Sequence, residues 1–124
     1  MILVDTSIWI DHLHRSEPML EDLLYRSFVV QHPMVIGELA LGTLRDRDTF
    51  LGYLGDLAGV PAATHVEVLA FVAVNRLHGR GLSLADAHLL ASVRLATGVR
   101  LWTRDKRLDS AARELGVAFE SATS

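Results

Sequence analysis

The chain has 124 residues, half of them hydrophobic and 22% charged, with a formal net charge of −3 and no cysteine. That length suits one domain, residues 1–124, with enough apolar material for a real core; lacking cysteine, it has no disulfides, thiolate zinc sites or cysteine nucleophiles, which fits a cytoplasmic setting. The negative balance argues against broad electrostatic binding of nucleic acid, although eleven of the twelve basic residues are Arg, whose planar forks grip phosphate bidentately.

Ile2-Leu3-Val4 is a short apolar run with no basic leader before it, ending at Asp5; it is expected as a first strand and not as a signal peptide. A helix is expected over Ser7 to Leu13. Leu20, Leu23 and Leu24 follow Ser16 and Pro18, an N-cap and first-turn pair for the next helix. Phe28 to Val30 reads as a second strand. Another helix starts near Pro33, and its apolar run Met34 to Leu44 is interrupted by a single acid, Glu38; a further helix is expected around Asp46 to Leu57.

From His65 to His78, Val66, Leu69, Ala70, Ala73 and Leu77 form one apolar stripe while Val68, Phe71 and Val72 cover the other side, so this helix is expected to be deeply buried. Its longest apolar stretch, Val66 to Val74, contains Glu67 and is too short to cross a bilayer, so no membrane is expected. Gly79 and Gly81 are expected to end that helix, and Ser83 to N-cap one carrying Ala85, Leu89, Val93 and Ala96, stopped by Gly98. Val99 to Trp102 and Val117 to Phe119 complete the strands, flanking a helix with Leu108, Ala111, Ala112 and Leu115 on one face, closed by Gly116. Only the Ser121 to Ser124 end reads as a disordered tail. Strands without polar alternation are covered on both faces, and helical crossovers join them when they run parallel. The fold class is therefore α/β, a three-layer α/β/α domain with a central parallel sheet.

Asp5, Asp86 and Asp105 each stand where an apolar segment or glycine loop gives way to a helix. In an open α/β sheet such positions converge on one crevice. Converging carboxylates repel unless a cation sits among them, and oxygen-only ligands favour Mg²⁺ or Mn²⁺. Each acid also has a simpler local explanation. Asp5 suits an N-cap or turn, Asp86 the reaching-back partner of Ser83 in a capping box, Asp105 an N-cap, and Glu38 a solvent-facing helix position. Taken alone, each is better explained that way; their conjunction carries the metal reading. Arg100, Arg104, Lys106 and Arg107 cluster around Asp105, and a solvated helix start explains them as well as phosphate binding does. The six histidines show no metal-ligand spacing.

The segments Leu3-Val4-Asp5-Thr6-Ser7, Gly37-Glu38-Leu39-Ala40-Leu41-Gly42, Leu84-Ala85-Asp86-Ala87 and Leu101-Trp102-Thr103-Arg104-Asp105-Lys106 resemble, in order, the four acidic motifs of PIN-domain ribonucleases. Order and length resemble VapC toxins of type II toxin–antitoxin pairs, over residues 2 to about 119. The resemblance implies a PIN-like fold in which Asp5, Glu38, Asp86 and Asp105 form the catalytic metal site, Asp5 and Asp86 foremost as ligands. Thr6, Ser7 and Thr103 would support them. Many relatives carry another acid where this chain has Arg107, which bears on a second metal; Asp109 is the nearest substitute.

The implied activity is a Mg²⁺-dependent endoribonuclease, Mn²⁺ substituting, in which the ion polarises the phosphate of a structured RNA such as a tRNA loop and activates a water. Glu38 or Asp105 would orient that water, and Arg104 and Lys106 would contact the RNA. The implied partners are a cognate VapB-type antitoxin and a second copy of the chain. Trp9, Leu13, Leu20, Leu23 and Leu24 are candidates for the antitoxin groove, with core packing an equal explanation. A catalytically inactive PIN-like binding module is the main alternative, disfavoured by retention of all four acids. A receiver-type phospho-signalling domain needs paired acids after its first strand and an Asp after its third, whereas Thr6 follows Asp5 and Val60-Pro61-Ala62 has none. A haloacid-dehalogenase-like phosphatase needs an Asp where Ser7 stands.

Overall fold

The computed structural model describes residues 1–120, so the expected tail at Ser121–Ser124 lies outside the described residues. The elements run β1 (Ile2–Val4), α1 (Thr6–His14), α2 (Pro18–Tyr25), β2 (Val29–Val30), α3 (Pro33–Ala40), α4 (Arg47–Asp56), α5 (His65–Val74), α6 (Leu84–Leu95), β3 (Arg100–Trp102) and α7 (Lys106–Glu114).

All strand pairings are parallel, in the order β2-β1-β3, with Leu3 opposite Val30 and Leu101. The chain moves to one side of β1 through α1 and α2, then returns past it through α3 to α6. Right-handed crossovers in opposite directions put their helices on opposite faces, which makes β1 the switch point of the sheet. Every residue of β1 is buried, as its unbroken apolar run requires. Val117–Phe119, expected as a fourth strand, makes a single parallel bridge, Leu101 to Ala118.

Three expectations need correction. The N-cap of α2 is Glu17, with Pro18 at the first helical position, because Ser16 lies one residue too early to face the first free N–H groups. The helix from Pro33 stops at Ala40, well short of Leu44. The third concerns α5, which ends at Val74, before its expected stop glycines, with Arg76 taking a left-handed turn at φ 53°. This helix is not deeply buried. Only Val68 is fully covered, against α6, while Val66 and Leu69 are 77% and 52% exposed. A helix that is apolar all round is covered only where a neighbour lies, and here the neighbour is on one side.

Beneath α3, α5 and α6 lies one buried polar hub. His32 N-caps α3, its Nδ1 accepting from the Met34 N–H at 3.0 Å, while Nε2 faces Ser92 Oγ at 3.0 Å. Ser92 Oγ also accepts from the Ala63 N–H at 3.0 Å. Because Nδ1 is an acceptor, Nε2 carries the proton and the ring is neutral.

Candidate active site

Asp5 leaves the C-terminal end of β1, at the switch point where ligands of open α/β sheets bind. It occupies the N-cap position of α1 but makes no side-chain cap bond. Its buried carboxylate is held sideways instead. Thr103 Oγ1 donates to Oδ2 at 2.7 Å and Ser7 Oγ donates to the same oxygen at 3.1 Å. Each hydroxyl spends its one proton there and accepts from backbone: Thr103 from the Asp105 N–H at 3.0 Å, Ser7 from the Arg104 N–H at 3.1 Å. The hydroxyls of α1 and of the β3–α7 turn thus lock Oδ2, and Oδ1 has no protein donor among the described residues.

The other three acids approach from α3, α6 and α7. Glu38, on the exposed side of α3, accepts from Thr6 Oγ1 at 3.3 Å. Asp86 completes a capping box: its Oδ2 accepts from the Ser83 N–H at 3.0 Å while Ser83 Oγ accepts from the Asp86 N–H. Asp105 caps α7, its Oδ1 accepting from the Leu108 N–H at 2.9 Å. The local explanations for Asp86 and Asp105 are therefore correct as far as they go. They do not prevent the charges from meeting.

Burial pushes the Asp86 carboxyl above its ordinary value; its bonds to Ser83 oppose this, and the charges of Asp5 and Asp105 add to it. Cover over the Glu38 carboxyl raises it too, against the Thr6 bond and with the charges of Asp5 and Asp86. Among the described residues no ion pair reaches any of the four. An oxygen-only set with mutual repulsion and no compensating Arg or Lys is the donor chemistry of a hard divalent cation. No group of three or more such side chains is drawn to metal-holding distance among the described residues, because Asp86 and Asp105 are turned onto their helix starts.

Residues 2–114 match the PIN domain family. Over its full length the chain is 52% identical to Ribonuclease VapC32 of Mycobacterium tuberculosis, with 124 residues aligned, all of both proteins, and the figures are the same in two strains. The chain belongs to the PIN-domain family, in its VapC branch. Of the four acids, Asp5 follows β1, Glu38 lies within α3, Asp86 stands in the first turn of α6 and Asp105 N-caps α7.

The basic residues of this PIN domain do not behave as one cluster. Arg100 donates to the Gly116 carbonyl at 3.1 Å, at the opposite end of β3 from the acids. Arg104, expected to contact RNA, is instead held between two carboxylates: it pairs with Asp11 at 2.6 Å and with Glu17, and lies 6.0 Å from the centre of the Trp102 ring. Charge complementarity to residues 87 and more positions away is invisible in a local reading of the sequence. Lys106 and Arg107 make no ion pair among the described residues. Asp109, the nearest substitute for the missing acid, is paired to Arg113 at 2.7 Å.

Of the residues expected to line an antitoxin groove, Trp9, Leu20 and Leu23 are core and Leu24 is partly buried against it, whereas Leu13 is 46% exposed. Leu13 lines, with Ile10, Leu39 and Leu44, a cleft of about 580 Å³ whose walls also include Glu38 and Arg45.

Proposed function

We propose that this VapC-type chain is a divalent-metal-dependent endoribonuclease, the toxin of a type II toxin–antitoxin pair, acting on structured RNA of the tRNA class in the cytoplasm as one domain. The observation that carries the reading is that Asp5, Glu38, Asp86 and Asp105 lie near enough beside the switch point for their charges to act on one another, with no ion pair to any of them among the described residues.

Asp5 would hold the ion through its free Oδ1, and Asp86 and Asp105 would join by turning away from caps each worth about 1 kcal/mol. Bound there, Mg²⁺ or Mn²⁺ supplies charge neutralisation and Lewis acidity toward a phosphate. Thr103 and Ser7 fix the orientation of Asp5 throughout, so the ligand does not reorganise during turnover. Glu38, whose carboxyl burial raises and the Thr6 bond orients, would direct a water and take its proton. Two partner surfaces follow. The cleft of Ile10, Leu13, Leu39 and Leu44 suits an apolar segment of a VapB-type antitoxin, whose basic group would reach Glu38. A homodimer would use the exposed apolar face of α5.

Antitoxin-free protein incubated with a labelled tRNA pool in Mg²⁺, Mn²⁺ or EDTA tests this directly. Discrete cleavage is expected only with metal and is expected to vanish in both Asp5→Asn and Asp86→Asn. Cleavage that survives either substitution or EDTA overturns the site; metal binding without cleavage of any RNA would turn the reading into that of a binding module.

A further inference from the structure

We infer that Arg107 is the RNA-gripping cation of this site, its guanidinium lying across Gly81 and open to a phosphate of the substrate backbone; this rests on the nuclease reading above. Gly81 lies in the loop that leads into the Ser83–Asp86 capping box, at φ +76°, and a Cβ on it would come within 2.7 Å of Arg107 Nη1 and 2.9 Å of its Cδ. The arginine therefore lies flat on bare backbone, spanning from the α7 start, which carries Asp105, to the segment before Asp86. The same loop is tied to α7 two turns further on, where Arg80 makes a bidentate pair with Glu114 at 2.6 and 3.1 Å.

What distinguishes Arg107 from its neighbours is that it has position without a partner. Arg104 is neutralised by Asp11 and Glu17, and Arg100 is spent on the Gly116 carbonyl. Arg107, among the described residues, has no ion pair or side-chain hydrogen bond, and the charges acting on the Asp86 carboxyl are only those of other acids. It is also the second residue of α7, beside the positive end of the helix dipole, where a cation is unfavourable. An unpaired guanidinium held against that field, on a helix start whose Leu108 N–H is already taken by Asp105, offers a phosphate the fork of its own N–H groups. Lys106 shares the charge but has no such seat.

The test measures binding of a labelled mixed-sequence oligoribonucleotide by fluorescence anisotropy, over a range of salt, in the non-cleaving Asp5→Asn background. Adding Arg107→Ala is expected to weaken binding about tenfold at low salt and to flatten the slope of log affinity against log salt by about 0.7, one phosphate contact on a single strand. Arg107→Lys is expected to keep the slope while losing part of the affinity, since the charge remains and the fork does not. Arg104→Ala is expected to leave the slope unchanged. Equal affinity and slope in the parent and Arg107→Ala overturn the inference, as does a parent that binds no RNA. Wild-type cleavage of tRNA, assayed separately, tells the two failures apart: cleavage with a neutral Arg107→Ala removes only this inference, while an Arg107 effect without any cleavage removes the nuclease and leaves the phosphate site.

Discussion

At the scale of single residues, the site is organised by where hydroxyl protons go. Ser7 and Thr103 both donate to Asp5 Oδ2, and Thr103 in turn receives the Asp105 N–H, so one side chain orients two of the acids. Losing that hydroxyl leaves a buried carboxylate short of a donor, at about 1 kcal/mol, and frees the proposed ligand to rotate. Thr103→Val is therefore expected to lower Mn²⁺ affinity about tenfold with a small loss of stability, and Thr103→Ser to restore both. Titration calorimetry with Mn²⁺ alone decides this; full affinity in Thr103→Val would show that Asp5 does not need the hydroxyl. The four motif acids were legible in the sequence because each is adjacent to a local signal, a strand end, a cap or a lone charge in an apolar run. The engagement of Arg104 was not, because its partners Asp11 and Glu17 are brought to it by the sheet.

At the scale of elements, the periodicity of α5 identified a helix but misjudged its surroundings. Apolar residues on every side allow burial; they do not supply the elements that would do the burying. Val68 sits against Ala63, Ala87 and Ala91, while Leu69 faces outward. Val68→Ala is expected to cost about 2 kcal/mol, the lost transfer energy plus a cavity, and Leu69→Ala no more than about 0.5 kcal/mol. Urea unfolding of the two variants measures the difference, and equal losses would mean that the outer face of α5 is covered in solution. By contrast α6 and α7 match their expected starts, since Ser83 and Asp105 meet the backbone N–H groups within three residues. Such caps are local and need no fold to be predicted.

For the molecule as a whole, the His32 hub couples β2 and α3 to α6 and to the segment before α5. Burial, with the charge of His88 adding, lowers the His32 pKa to about 4. A histidine whose folded value lies below its unfolded value of 6.5 favours the fold while neutral: the contribution is complete above about pH 6.5 and declines as pH falls toward 4. Its protonation would also set a proton against the Met34 N–H at Nδ1. Acidification across that window is expected to remove about 3 kcal/mol in the wild type, and less in His32→Asn, which keeps an N-cap oxygen without the titration. Denaturant midpoints at neutral and acid pH compare the two; identical pH slopes would show that the hub does not govern acid sensitivity.

The alternation of apolar runs, helix stripes, caps and stop glycines is written in short-range spacing, so the order of elements, the parallel α/β class and the topological place of the acids follow from the residues alone. Tertiary structure decided what short-range spacing does not encode: that the α5 stripe faces outward, that Trp9, Leu20 and Leu23 are core, and that Arg107 lies across Gly81 without an ion pair among the described residues while Arg104 is consumed. The reason is physical. Propensity and capping act within a turn or two of chain, whereas exposure and ion pairing depend on which distant surfaces the sheet brings into contact.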